Sequence, residues 1–94
     1  MPTLQLTGTI NAANGEVLII ILYDSNDNPV WPNPLSPTGD FDSSFDIPSG
    51  SYTLNIVGAT QGQFTFNVQG VITINPSVPV IYNKKISNSF DITL

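Results

Sequence analysis

The chain of 94 residues predicts an all-β fold, an antiparallel β-sandwich of about seven short strands in one domain, residues 1–94. Three observations predict it. Apolar and polar residues alternate with a period of two in one segment after another, as strand side chains do when one face is buried. Turn signals made of Gly, Pro, Asn, Asp and Ser interrupt those segments about every eight to twelve residues. No stretch holds a 3.6-residue apolar period over a useful length, so no helix beyond a stray turn is expected.

The first strand is expected over Leu4–Ile10, with Leu4, Leu6, Gly8 and Ile10 on one face and Gln5, Thr7 and Thr9 on the other. Asn14-Gly15 then suits a two-residue hairpin turn, in which both central positions need positive φ. Glu16–Asp24 follows as the second strand. Its Val17–Tyr23 portion is apolar on both faces and rich in β-branched residues. A strand of that kind is covered on both faces, here by the opposite part of the sandwich and by a lid. Trp31 and Leu35 are the natural lid over the outer side of Val17–Tyr23, and Val30-Trp31 is expected to pair briefly. Pro32, Pro34 and Pro37 make the intervening loop stiff and exclude a central strand there.

The best-patterned stretch is Gly39–Gly58, which reads as strand, tight turn, strand. Phe41, Ser43, Phe45 and Ile47 alternate with Asp42, Ser44 and Asp46, Pro48-Ser49-Gly50 breaks the run, and Tyr52, Leu54 and Ile56 resume it. Further strands are expected over Gln63–Val68, Val71–Asn75, Val78–Tyr82 and Phe90–Leu94, with turns at Gln69-Gly70 and Pro76-Ser77. The last residue still belongs to an alternating strand, which points to a module cut from something longer.

Composition narrows the function. Seven acidic and two basic residues give a net charge of −5, arginine is absent, and the lysines are adjacent, Lys84-Lys85. Such a chain cannot supply the phosphate contacts that dominate nucleic-acid affinity, and anionic membranes are disfavoured for the same reason. There is no cysteine, hence neither disulfide nor thiolate chemistry. Met1-Pro2-Thr3 lacks the basic region of a signal peptide, and Val17–Tyr23 is too short to span a bilayer, so no membrane insertion is expected. An Asn/Ser/Thr-rich, lysine-poor β composition nevertheless fits an exported module, placed extracellularly, on the cell surface or in the periplasm.

With no His, Cys or Arg and with Glu16 as the sole glutamate, thiol nucleophiles, Ser-His-Asp systems, histidine-bound zinc and arginine clamps are all removed. What is left is a pair of aspartates among Asp40, Asp42 and Asp46. These fall on the outer face of one strand, about 6.6 Å apart per two-residue step, with nothing to separate an acid from a base. No catalytic residue is assigned, and an enzyme is not expected. No cofactor is required. The sharpest cofactor candidate is calcium at Asp24, Asn26 and Asn28, hard oxygen ligands at positions one, three and five of a D-x-N-x-N loop. Pro29 stands where the helix–loop–helix motif wants glycine, and Leu35 where it needs a bidentate glutamate. Asx residues also gather in turns because their side chains cap nearby backbone N–H groups, and that reading is preferred. Among Tyr23, Trp31, Tyr52 and Tyr82, Trp31 is the candidate stacking platform for a carbohydrate. Were Trp31 not to cover the second strand, Leu18, Ile20 and Leu22 would form an exposed apolar stripe and hence an interface.

The order of these elements resembles the carboxypeptidase regulatory-like, or transthyretin-like, β-sandwich family. The marks are Gly8-Thr9-Ile10, Thr38-Gly39-Asp40-Phe41, Phe45-Asp46-Ile47-Pro48, Gly50-Ser51-Tyr52-Thr53-Leu54 and the closing Phe90-Asp91-Ile92-Thr93-Leu94. The likeness extends over nearly the whole chain. It implies an immunoglobulin-like or transthyretin-like sandwich serving as a non-catalytic domain of exported enzymes, surface proteins or outer-membrane receptors. The proline loop at Asn33–Pro37 and the Asp24–Asn28 cluster depart from that pattern. The expected function is therefore an accessory or protein-interaction module, whose partner is a neighbouring domain or another protein. The alternative is a carbohydrate-binding module, with calcium as an optional aid.

Overall fold

A computed structural model describes residues 1–10, 17–31, 34–37 and 39–94. The strands are β1 (Thr3–Ile10), β2 (Val17–Tyr23), β3 (Phe41–Asp46), β4 (Ser51–Gln69), β5 (Thr73–Asn75) and β6 (Val80–Thr93). They make one six-stranded antiparallel sheet in the order β3-β1-β4-β6-β5, with β2 also paired to β4. No helix occurs among the described residues. The all-β, antiparallel expectation holds in this coarser form, as a single curled sheet.

β4 is the spine. β6 pairs with it at both ends, from Ser51↔Thr93 to Phe66↔Val80. β2 pairs with its first half, from Tyr23↔Thr53 to Val17↔Ala59, and β1 with its second half, from Ile10↔Phe64 to Gln5↔Gln69. Between the pairs Ala59↔Lys85 and Gln63↔Asn83 the register shifts. Thr60, Gln61 and Gly62 there stand opposite Lys84 alone, whose φ is 71°. Unequal lengths on paired strands bend the longer one. Thr60 is buried and donates from its hydroxyl to the Gly62 carbonyl at 2.6 Å. Beyond the bend the inward side chains of both halves meet in one core.

That core is built from the alternation. Leu4 and Leu6 of β1, Leu18, Ile20 and Leu22 of β2, Leu54, Ile56, Phe64 and Phe66 of β4, and Phe90 of β6 are all fully buried. Phe66 links the two halves, with its ring centroid 5.8 Å from Phe90 and 6.1 Å from Phe64. Phe64 in turn stacks on Tyr82 at 6.0 Å. Gly8 is required where these rings crowd β1, since a Cβ there would run into Phe41 and Phe64. The predicted inward set of Phe90, Ile92 and Leu94 is buried as expected.

Four expectations need correction. The predicted strands at Tyr52–Ile56 and Gln63–Val68 are one strand, β4, and those at Val78–Tyr82 and Phe90–Leu94 are one strand, β6, so the described residues form six strands rather than the expected seven or so. Ser87 and Ser89, which lie between the two predicted strands, are outward positions of a continuous ladder. The predicted Asn14-Gly15 turn lies outside the described residues, but the strands on either side of it both pair with β4, not with each other. β3 and β4 likewise do not pair. Ile47–Gly50 is a corner that carries the chain from one half of the sheet to the other, tied by Ile47 N–H to the Pro2 carbonyl at 3.0 Å and by paired bonds between Gly50 and Leu94. Finally, the loop after β2 covers that strand's free edge and leaves its outer face open. Val30 N–H donates to the Leu22 carbonyl at 2.8 Å, and Leu35 exchanges two backbone bonds of 2.9 Å with Ile20.

Two predictions follow from this packing. Gly8→Val should cost about 1–3 kcal/mol through overpacking against the phenylalanine rings, read as a lower urea midpoint at unchanged m-value. The second concerns Tyr82, which is half-buried within β6 and accepts a 3.0 Å hydrogen bond from Asn88 Nδ2. Burial pushes its hydroxyl above the ordinary value of 10.0, and the Asn88 bond opposes that more weakly. A phenol with a raised folded-state pKa stabilises the fold fully below the unfolded value and ceases to do so as pH rises through the folded one, because the unfolded chain ionises first. Stability should therefore fall above about pH 10, and Tyr82→Phe should remove part of that fall in urea titrations at successive pH values.

Candidate binding face

The outward side of the β2–β4–β6–β5 half carries exposed apolar side chains next to one another on paired strands. Cross-strand register arranges it in rows, because residues directly opposite in an antiparallel pair project to the same side. Val17, Ala59 and Lys85 form one row, and Ile19, Val57 and Ser87 the next. Ile21, Asn55 and Ser89 form the third, fastened by a 2.8 Å hydrogen bond from Ser89 Oγ to Asn55 Oδ1. Tyr23, Thr53, Asp91 and Asn75 form the last. The face thus grades from apolar and basic at one end to polar and acidic at the other.

At the apolar end Val17 is 61%, Val57 43% and Ile19 39% exposed. At the acidic end lies a groove of about 340 Å³, lined among others by Asp24, Asp27, Tyr52, Thr53, Asn75 and Asp91. Its donors and acceptors are hydroxyls, an amide and carboxylates, and it contains no basic group. A neutral polyhydroxylated ligand matches that lining, and an anionic one does not.

The candidate residues from the sequence are distributed as follows. Leu18, Ile20 and Leu22 are not a surface stripe: each is fully buried, because the even positions of β2 face the core. The exposed apolar set is the odd one, Val17 and Ile19. Trp31 does not lie over the outer face either. It packs on the core, its ring centroid 4.6 Å from that of Phe45 in β3, and among the described residues no acceptor meets its buried Nε1. One face of the indole is thereby occupied.

Asp24, Asn26 and Asn28 form a closed Asx turn. Asp24 Oδ1 accepts from the backbone N–H of Asn26 at 2.9 Å and of Asn28 at 3.0 Å. Two backbone bonds complete the turn, from Asp24 N–H to the Asn28 carbonyl and from Asp27 N–H to the Asp24 carbonyl, and Asp27 sits at φ 61°. One carboxylate oxygen of the proposed calcium ligand is thus already engaged with its own loop. No group of three or more acidic, His or Cys side chains is placed to hold a metal ion among the described residues. The aspartates of the β3 region are each engaged as well: Asp40 accepts from Ile10 N–H at 2.8 Å, Asp42 from Gln5 Nε2 at 2.9 Å and Asp46 from Thr3 Oγ1 at 2.7 Å.

Sequence reasoning missed Val57, Asn75 and Asp91 as members of one surface. The signal exists only in the register that sets β2, β4, β5 and β6 side by side. Compared with known proteins, the chain matches no family model, no curated protein and no solved structure. No helix among the described residues is long and apolar enough to cross a membrane.

Asp24→Ala should cost about 1 kcal/mol by leaving two N–H groups of the turn unpaired, whereas Asp24→Asn, which keeps an acceptor, should cost less. Thermal melts of both variants with and without calcium separate turn chemistry from metal binding: only a metal site would raise the wild-type midpoint with calcium and lose that rise in Asp24→Asn.

Proposed function

We propose that this protein is a non-catalytic accessory module that acts by presenting the outer face of its β2–β4–β6 half to another protein surface. The observation that carries the reading is the adjacent exposure of Val17, Ile19 and Val57 on paired strands. Contiguous apolar exposure rimmed by polar residues is characteristic of contact surfaces. The order of motifs from Gly8-Thr9-Ile10 to Phe90–Leu94 supports reading the curled sheet as a transthyretin-like sandwich of the carboxypeptidase regulatory-like kind. The Asn/Ser/Thr-rich, lysine-poor composition supports an exported or cell-surface setting. A neighbouring domain or a separate protein is the partner class.

A second reading, carbohydrate binding, is favoured by the polar groove at the acidic end of the same face. In this reading Thr53, Asn75 and Asp91 replace Trp31 as the contact residues.

One 15N-HSQC titration tests both. With the apolar anionic probe 1-anilinonaphthalene-8-sulfonate, shifts should concentrate at Val17, Ile19, Val57 and Lys85. Uniform small shifts, or shifts elsewhere, would sink the contact-surface reading. With a panel of soluble oligosaccharides, shifts confined to Thr53, Asn75 and Asp91 would instead establish the groove as a sugar site.

A further inference from the structure

The contact face is self-complementary in charge. Lys85 stands at its apolar end and, with Lys84, accounts for every basic side chain of the protein. Asp91 stands at its other end, six positions along the same strand and on the same side, about 20 Å away at the usual strand rise. Asp24 and Asp27 reinforce the negative end, since they line the same groove as Asp91. Between the two ends lie only uncharged rows, with the apolar Ile19 and Val57 beside each other.

We propose that this face binds a second copy of the same chain, face to face, about a two-fold axis lying in the interface and running across the strands. The proposal rests on reading the face as a contact surface and names its occupant. Such an axis places β2 over β2, β4 over β4 and β6 over β6 with directions reversed. The basic end of each copy then lies over the acidic end of the other, and Lys85 meets Asp91 of the partner subunit twice, once at each end. Ile19 falls over Ile21 of the partner subunit and Val57 over Asn55 of the partner subunit, so the β2 isoleucines close the middle with Val57 beside them. An axis parallel to the strands would leave both lysines over apolar residues, so the charges select the first arrangement. Two-fold contacts of this isologous kind are the commonest way a protein associates with itself, and stacked sheets pack about 10 Å apart with nearly aligned strands.

The size of the face sets the strength. Three strands and four rows cover about 14 Å by 20 Å, well below the area of a stable dimer, so the association is weak and concentration-dependent. It should appear between about 0.1 and 1 mM.

The test is sedimentation equilibrium, paired with NMR diffusion, on the whole chain across that range. A monomer–dimer equilibrium is expected for the wild type. Val57→Lys, at an exposed position, should abolish it with the HSQC spectrum otherwise retained. Lys85→Asp should weaken it about tenfold, and Lys85→Asp combined with Asp91→Lys should return the constant to within about threefold of the wild type, as for a direct charge pair. A wild type that remains monomeric at 1 mM, to order of magnitude, overturns the proposal, as does a dimer indifferent to Val57→Lys or a double reversal that fails to restore. If the chain is monomeric but the apolar probe still collects on Val17, Ile19 and Val57, self-association alone has failed and the contact-surface reading stands.

Discussion

The rest of the structure depends on the backbone ladder of β4. From Ser51 to Phe66, apart from the bend, one edge is bonded by β6, and the other edge is divided between β2 and β1. Three strands therefore take their position from one. That division only produces a closed core if β4 bends between its two sets of neighbours. The bend comes where three residues of β4 stand opposite Lys84 of β6, with Thr60 turned inward and satisfied by Gly62. Without that mismatch the inward phenylalanines of the second half would have no opposing layer.

The curl also determines which edges need protection. The free edge of β2 is occupied by backbone bonds from Val30 and Leu35, so the proline-bounded loop removes a row of groups that could otherwise template another strand. β3 lies at the other extreme of the sheet order and carries Asp42 and Asp46 outward, both bonded to β1 side chains. Charged residues on an edge strand discourage pairing with a further chain. The edges of β2 and β3 are thus guarded while part of one sheet face is left apolar. Contact through that face, as proposed, would use side chains and leave the backbone ladders intact.

Much of this architecture was legible in the residues. The alternation in Leu4–Ile10, Phe41–Ile47 and Phe90–Leu94 assigned inward and outward sides correctly, because period-two burial is a local property. The Asx turn at Asp24–Asn28 was legible for the same reason. What local pattern could not supply was pairing. Val17–Tyr23 is apolar at every position, so nothing within it says whether the odd or the even set faces the core. That is settled by the register with β4, which puts Leu18, Ile20 and Leu22 inside. The continuity of β4 and β6 was hidden because glycine and serine, which read as turn formers, here occupy a bend and an outward row. The candidate face inherited this difficulty. Its residues come from four strands, brought together by long-range pairing alone.

The same pairing scheme has a kinetic side. Among the described residues no two strands are joined by a tight hairpin; the nearest ladder partners in sequence are Phe66 and Val80. β1 must find the far half of β4, and Gly50 must find Leu94. Each of these closes a long loop before any apolar contact rewards it. Topologies dominated by such distant pairings fold on millisecond-to-second rather than microsecond timescales. A nascent chain of this sequence would hold the β4-facing edge of Val17–Tyr23 unpaired until β4 has emerged, and would leave its core open on one side until Phe90–Leu94 arrive. For a short β protein, that makes the unfinished chain the state most exposed to misassociation.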